Sequence, residues 1–373
     1  MVPNGWLHKQ IGEIASIQVG RDLVEDKYSE ISTTEYKYPV YSNTVENKGL
    51  YGFYNFPEYS GNAITIVGRG VGLGKAFARS PGESFGAIGR LLVLTPKNNS
   101  FDVIFFANYI NFALRIHNES GGIPQLPGAS LSKYFVMLPP LAEQQKIAQI
   151  LSTWDKAIAV TEQLLANSQQ QKKALMQQLL TGKKRLLDDS GKPFEGEWSK
   201  VELGKLLDYK QPTPYLVKST DYSDEYSTPV LTAGKTFILG YSNENFGIFE
   251  EELPAIIFDD FTTASKFVDF PFKAKSSAMK ILVAKQGVSI KFVYEAMQVL
   301  NYPVGGHQRH WISIFANLVI GLPSPPEQQK IASVLSNADK EIELLEQQLA
   351  DLKQEKKALM QQLLTGKRRV NLS

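Results

Sequence analysis

The chain has 373 residues, 43% of them hydrophobic and 21% charged, with 40 Lys plus Arg against 38 Asp plus Glu for a formal net charge of +2. That length holds two or three domains, and so even a balance excludes a polybasic, histone-like protein while leaving a local basic face open. With no Cys, disulfide frameworks, thiolate metal sites and cysteine nucleophiles are all removed, which fits a reducing compartment.

The N-terminal MVPNGWLHKQ lacks a charged start followed by an apolar block, so no signal peptide is expected. No apolar run approaches the ~18 residues of a membrane span. A cytoplasmic protein without membrane contact is the expectation. Strand-like runs come first: residues 63–69 (AITIVGR), a Gly-rich turn, KAFAR, and residues 89–97 (GRLLVLTPK). A helical stretch follows (FDVIFFANYINFALRI), then a Gly121-Gly122 loop and a last strand-like run, YFVMLP. A long helix is predicted from Glu143. Its residues are mostly good helix formers, Pro139 and Pro140 precede it, and no Gly or Pro interrupts it before Gly182. The second half runs through STPVLTAG, a strand-rich stretch at residues 254–285 and a helical VSIKFVYEAMQVLN. It continues with Gly305-Gly306, ANLVIGLP and a second long helix from Glu327 to a stop at Gly366.

The two long helices are copies. Residues 143–185 and 327–369 align without a gap, and 29 of their 43 positions are identical. Fainter matches lie upstream, where Trp6 and Gly12 correspond to Trp198 and Gly204. The chain is therefore two halves of one plan, each a variable region followed by a near-constant helix. In the second helix Ala338, Ile342, Leu345, Leu349, Leu352, Lys356, Leu359 and Leu363 alternate by four and three. In the first, Trp154, Ile158, Thr161, Leu165, Ser168, Lys172, Leu175 and Leu179 hold the same register. One narrow apolar seam on a rod of roughly 58 Å needs a partner, and the nearest candidate is the other copy. The basic residues after each Gly stop, Lys183, Lys184, Arg185 and Lys367, Arg368, Arg369, are placed to complement the negative end of the helix dipole.

Three features imitate chemistry. Residues 67–76 (VGRGVGLGKA) look like a phosphate loop, but Ala76 follows Lys75 where a P-loop needs Ser or Thr, so a glycine-rich turn is the better reading. Asp259-Asp260 lacks the further carboxylates of a metal cluster and reads as a turn. The four His show no paired ligand spacing, so no metal site is expected. An Asn-Pro-Pro-aromatic stretch for holding a flipped base is absent, and no catalytic residues are assigned. Basic and amide side chains form a better signal. Arg69, Lys75, Arg79, Arg90 and Gln125 lie around the Gly-rich stretch and the loop of the first region. Lys266, Lys273, Lys275 and Lys280, with His307, Gln308 and Arg309, lie in the corresponding parts of the second. Arg and Gln reach base edges bidentately, and Lys mostly holds phosphate.

With its paired EQQKIA…QLLTGK blocks, each after a variable region, the whole chain resembles the specificity subunit of type I restriction-modification systems. The resemblance implies an α+β architecture: two mixed α/β target recognition domains joined by two long antiparallel coiled-coil helices, with a pseudo-twofold internal repeat. The expected boundaries are residues 1–138 and 187–322 for the recognition domains and 139–186 and 323–373 for the helical spacers. Helix pairing falls to Trp154, Ile158, Leu165, Leu175 and Leu179 against Ile342, Leu345, Leu349, Leu352, Leu359 and Leu363. Each recognition domain would read one half of a split, asymmetric site in double-stranded DNA, with helix length setting the spacing. Two methyltransferase (modification) subunits would dock on the helices, and restriction/translocase subunits would join them. This chain would need no cofactor; S-adenosylmethionine, ATP and Mg belong to the partners. Two other readings of the residues stay open: an adenosylmethionine-dependent enzyme in its own right, and a coiled-coil scaffold that does not touch DNA.

Overall fold

The computed structural model describes residues 3–118, 121–234, 236–300, 311 and 314–372. It divides into two compact units, one of residues 1–162 with 347–373 and the other of residues 163–346. Each unit holds one variable module together with a stretch of both long helices.

In the first unit β1 (Leu7–Gln10) leads through a single turn, α1 (Ile11–Ile14), into β2 (Ala15–Val19). Then come β3 (Tyr28–Ser29), β4 (Tyr38–Tyr41), β5 (Leu50–Tyr54), β6 (Ala63–Ile66), β7 (Ala76–Arg79), β8 (Gly86–Ala87) and β9 (Leu92–Pro96). The helix α2 (Val103–Ala113), a turn α3 (Gly128–Leu131) and β10 (Phe135–Leu138) close the module, and α4 (Leu141–Leu179) follows. One antiparallel sheet has the order β2-β9-β6-β7, a second has β3-β5-β4-β8 with β4 and β8 parallel, and β1 pairs with β10.

The second unit repeats the plan: β11 (Ser199–Glu202), α5 (Leu203–Leu206), β12 (Leu207–Lys210), β13 (Thr228–Leu231), β14 (Ile238–Ser242), β15 (Ala255–Asp259), β16 (Ser265–Val268), β17 (Lys273–Ala274), β18 (Met279–Ala284), α6 (Ile290–Gln298), β19 (Val319–Leu322) and α7 (Pro325–Leu363). Its sheets are β12-β18-β15-β16, β14-β13-β17 and β11-β19, and β13 and β17 are again parallel. A register shift falls at the same place in both, between Val40 and Tyr41 and between Val230 and Leu231. The shared Gly12 and Gly204 also gain a physical reason. A Cβ on either would lie 3.1 Å from the side chain and 3.2 Å from the carbonyl oxygen facing it, of Ser132 or Ala316, a close approach that any larger residue would have to push apart.

Each core is apolar, lying between sheet and helix, and the long helices complete it. Ile64, Ile66, Leu92, Leu94, Phe105 and Phe106 cluster with Ile147 and Leu151 of α4 and with Leu363 at the end of α7. Ile256, Phe258, Leu282, Phe292 and Val293 cluster with Ile331 and Leu335 of α7 and with Leu179 at the end of α4. Burying one such side chain contributes about 1.5–3 kcal/mol. A module therefore depends on the start of one long helix and the end of the other.

Polar side chains of the constant motif fix these joints. Asp102 caps α2 by accepting from the amides of Ile104 and Phe105, at 2.9 and 2.8 Å, and the Asp102 amide in turn donates to Gln144 of α4 at 3.0 Å. Ser289 caps α6 in the same way, its own amide donating to Gln328 of α7 at 2.9 Å. Glu143, 2% exposed, receives Arg369 on both oxygens at 2.6 Å. Glu327, 1% exposed, receives Arg185 at 2.6 and 2.7 Å, with the Trp198 indole N–H donating at 3.3 Å. These hydrogen bonds raise both guanidinium pKa values above their already high range. The arginines after the helix stops thus find a carboxylate on the other helix, a stronger partner than the dipole of their own.

Within each unit the long helices run antiparallel. In the first, Asp155 meets Lys356 at 2.5 Å and Glu162 meets Lys353 at 2.8 Å. In the second, Ser168 meets Glu341 at 3.0 Å and Lys172 meets Asp339 at 2.5 Å. Along the seam, Trp154, Ile158, Leu165 and Leu175 of α4 are half-buried, as are Ile342, Leu345, Leu349, Leu352 and Leu359 of α7. Leu179 and Leu363 are fully buried because they end inside a module core. Lys172 and Lys356, polar residues at apolar heptad positions, each take an Asp across the seam. Such pairs fix register at some cost in stability.

Candidate nucleic-acid interface

In the first module the hairpin joining β6 to β7 meets two other loops. The glycine-rich stretch is its turn: the Val67 amide donates to the Lys75 carbonyl at 2.9 Å, and the Gly74 amide to Val67 at 2.8 Å. Gly70, Gly72 and Gly74 have φ of +88°, +87° and +81°. A Cβ on Gly72 would come within 2.3 Å of Val45, so glycine is required there on two counts. The amides of Gly68, Gly70, Gly74 and Lys75 all donate within the protein. They already have acceptors within the protein, unlike the free amides of a phosphate cradle.

The loop carrying Gln125 lies alongside this hairpin. Arg69 and Gln125 form a β-bridge, and the Gly70 amide donates to Pro124 at 2.9 Å. Asn43 ties in a third loop, accepting from the Gly68 amide at 2.8 Å while its side-chain N–H donates to the Gly89 carbonyl. The next residue, Arg90, stands at φ +72°. Arg69, Lys75, Arg90 and Gln125 are all exposed, so two arginines and an amide are presented from loops joined through Asn43 and through the Gly70 amide. Asn43 had no sequence signal: an Asn between Ser and Thr in a loop is ordinary.

Arg79 is placed differently. It is 3% exposed, lies 3.3 Å over the Tyr41 ring, donates to Thr65 at 2.8 Å and reaches the Lys48 carbonyl at 2.6 Å. Burial lowers its pKa and pushes the Tyr41 hydroxyl up to about 12, with the hydrogen bond to Glu83 raising the latter further and Arg79 opposing. Arg79 is an internal strut, not the surface group its sequence neighbourhood suggested. Its four-residue strand runs between the module core and the Tyr41 ring, and the planar guanidinium satisfies its donors there.

The second module builds the corresponding hairpin by other means. Between β15 and β16, Asp259 accepts from the amides of Phe261 and Thr262 at 2.9 and 3.3 Å, an Asx turn with Thr263 at φ +60°. Asp260 turns inward, 2% exposed, accepting from the Trp311 amide at 2.8 Å and facing Lys280 at 3.5 Å. Trp311 is thus tied to this hairpin through Asp260. His307, Gln308 and Arg309 lie outside the described residues. Lys266 is exposed on β16, and Lys275 is half-buried and donates to the Tyr222 hydroxyl at 3.1 Å. Lys273 and Lys280 are buried. Lys273 holds the carbonyls of Phe246 and Gly247 and pairs with Glu244 at 3.1 Å. Burial works to raise the Glu244 carboxyl, but the Ser219 amide and Lys273 outweigh it and hold the pKa below its ordinary value. Like Arg79, Lys273 is an internal strut, because β17 is covered on both sides.

The described residues contain no group of three or more His, Asp or Glu able to hold a metal ion, and no described helix is long and apolar enough to cross a membrane. The type I restriction modification DNA specificity domain model matches residues 3–167 and 195–354, one copy per half. The chain belongs to this family and has two recognition domains, as a specificity subunit does. It is 49% identical over 147 residues to the EcoR124I/EcoR124II specificity subunit of Escherichia coli, a match spanning 38% of this chain but 36% of that subunit. A type I specificity subunit of Mycoplasma pneumoniae is 26% identical over 87% of both chains. The S subunit of a type I system from M. genitalium shares the fold, with a TM-score of 0.72 at 16% identity over 97% of this chain and 99% of that one.

Proposed function

We propose that this chain is the DNA-reading component of a cytoplasmic type I restriction-modification complex and carries no catalytic residues of its own. Residues 1–138 and 187–322 are the readers, each for one half of a split, asymmetric site in double-stranded DNA. Residues 139–186 and 323–373 are the spacers. Two methyltransferase subunits dock on the spacers and supply S-adenosylmethionine chemistry, while restriction subunits supply ATP- and Mg-dependent cleavage. One observation carries this reading: the same framework presents different side chains from the same hairpin and loop, Arg69, Arg90 and Gln125 in one module and Phe261, Thr262 and Lys266 in the other. Identical frames with unlike reading surfaces suit an asymmetric target. The committed amides of the glycine-rich turn speak against the stand-alone enzyme.

Replacing residues 187–322 with another module should change one half-site in the host methylome and leave the other intact. Loss or alteration of both halves would refute independent readers.

The docking surface has a repeated mark. Val160 on α4 and Leu344 on α7 occupy the same position in the two copies and are 59% and 71% exposed. A side chain of this size buried by a partner contributes about 1.5–3 kcal/mol. Val160→Asp with Leu344→Asp should weaken capture of the methyltransferase subunits by at least tenfold while the chain still folds. Unchanged co-purification would remove these residues from the docking surface.

A further inference from the structure

Each module holds an apolar side chain out at the tip of the same hairpin. Val71 is 89% exposed between Gly70 and Gly72, and Phe261 is 45% exposed in the Asx turn of the other module. The two turns share neither length nor sequence. One is built from glycines resting on Val45, the other from Asp259 and a left-handed Thr263. Each hairpin is tied to a residue outside it, through the Gly70 amide on Pro124 and through Asp260 on the Trp311 amide. The same hairpin carries an outward apolar side chain in both modules although the two turns are built by unrelated means, and that recurrence points to a use.

We propose that Val71 and Phe261 are specificity-determining residues that touch the C5-methyl group of a thymine, one in each half-site. The inference rests on the reading that these modules bind duplex DNA. The major groove admits a two-stranded β-ribbon, and the apolar feature its base edges present there is the thymine methyl. Exposed Arg69, Lys75 and Arg90 in the first module, and Lys266 in the second, supply the positive charge that brings a hairpin to the backbone. Neither tip residue belongs to a core, so substitution leaves the fold in place.

The test uses the full chain assembled with its methyltransferase subunits and duplexes carrying the site found by methylome sequencing. Each thymine of the site is replaced singly by uracil, which removes the methyl and nothing else. One replacement in each half-site should weaken wild-type binding by about threefold to tenfold. Val71→Ala should bind the unmodified duplex as weakly as wild type binds the uracil duplex, and should lose sensitivity to uracil in one half alone. Phe261→Ala should do the same for the other half, and Val71→Leu should keep the sensitivity. A half-site without thymine, or uracil replacements that leave wild-type binding unchanged, would overturn the inference while the DNA-reading function stands. An assembled complex with no preference for its methylated site would overturn both.

Discussion

Arg185→Ala should destabilise the second unit by about 3–5 kcal/mol, because it strands a buried carboxylate. Glu327 is 1% exposed, and without the guanidinium it keeps, among the described residues, the Trp198 indole N–H at 3.3 Å. Urea unfolding of the full chain should show one transition moving to lower urea, with the first unit's transition held in place. Adding Glu327→Gln should recover most of the loss, since the buried charge is then gone. Arg369→Ala should act on the first unit in the same way but more weakly. Its side chain is 44% exposed, so solvent already screens that pair. Should Arg185→Ala unfold at the wild-type urea concentration, the Arg–Glu joint is ornamental and the constancy of these motifs needs another cause.

That joint shows what sequence patterning conveys and what it does not. The repeat, the helix stops and the heptad seam were legible because each rests on local spacing: Gly182 and Gly366 have φ of +70° and +69°, as a left-handed stop requires. The reason for the repeated Glu, Gln and Arg was not legible, since their partners lie 142 and 226 positions away in the chain for the two Arg–Glu pairs. In the modules, strand-like runs and both helices could be read from apolar runs, and the tightly turned glycine-rich stretch from its composition. Burial of the cations could not. Arg69 and Arg79 are ten residues apart and equally basic; one ends on a hairpin tip and the other under a tyrosine ring, a difference made by sheet pairing. The apolar tips carry no signal in the sequence, because nothing local marks Val71 or Phe261 as exposed.

The second module has an anchor the first lacks, and it makes that unit sensitive to pH. Glu295 of α6 is fully buried, with Lys291 at 2.8 Å and Lys172 of α4 at 3.4 Å; both lysines also reach Asp339 of α7. At the same places after the helix cap, the first module has Ile104 and Asn108. Lys291→Met should therefore cost about 3 kcal/mol, and Glu295→Gln should restore part of it. Burial pulls the Asp339 pKa up, but the hydrogen bonds from Lys172 and Lys291 win and hold it below its ordinary 3.8. A depressed carboxylate contributes stability that is present above 3.8 and fades as pH falls through the lower folded value. Lys291 moves the other way: burial opposes, yet Asp339 and Glu295 raise it above 10.5, so its contribution is complete below that pH and lost in stronger base. The second unit should thus hold a plateau between these limits and weaken in acid. Asp339→Asn should lower the urea midpoint at pH 7 and flatten the decline as pH falls below 3.8. A variant that keeps the wild-type acid slope would mean that other carboxylates set it, and that this cluster holds the module by shape alone.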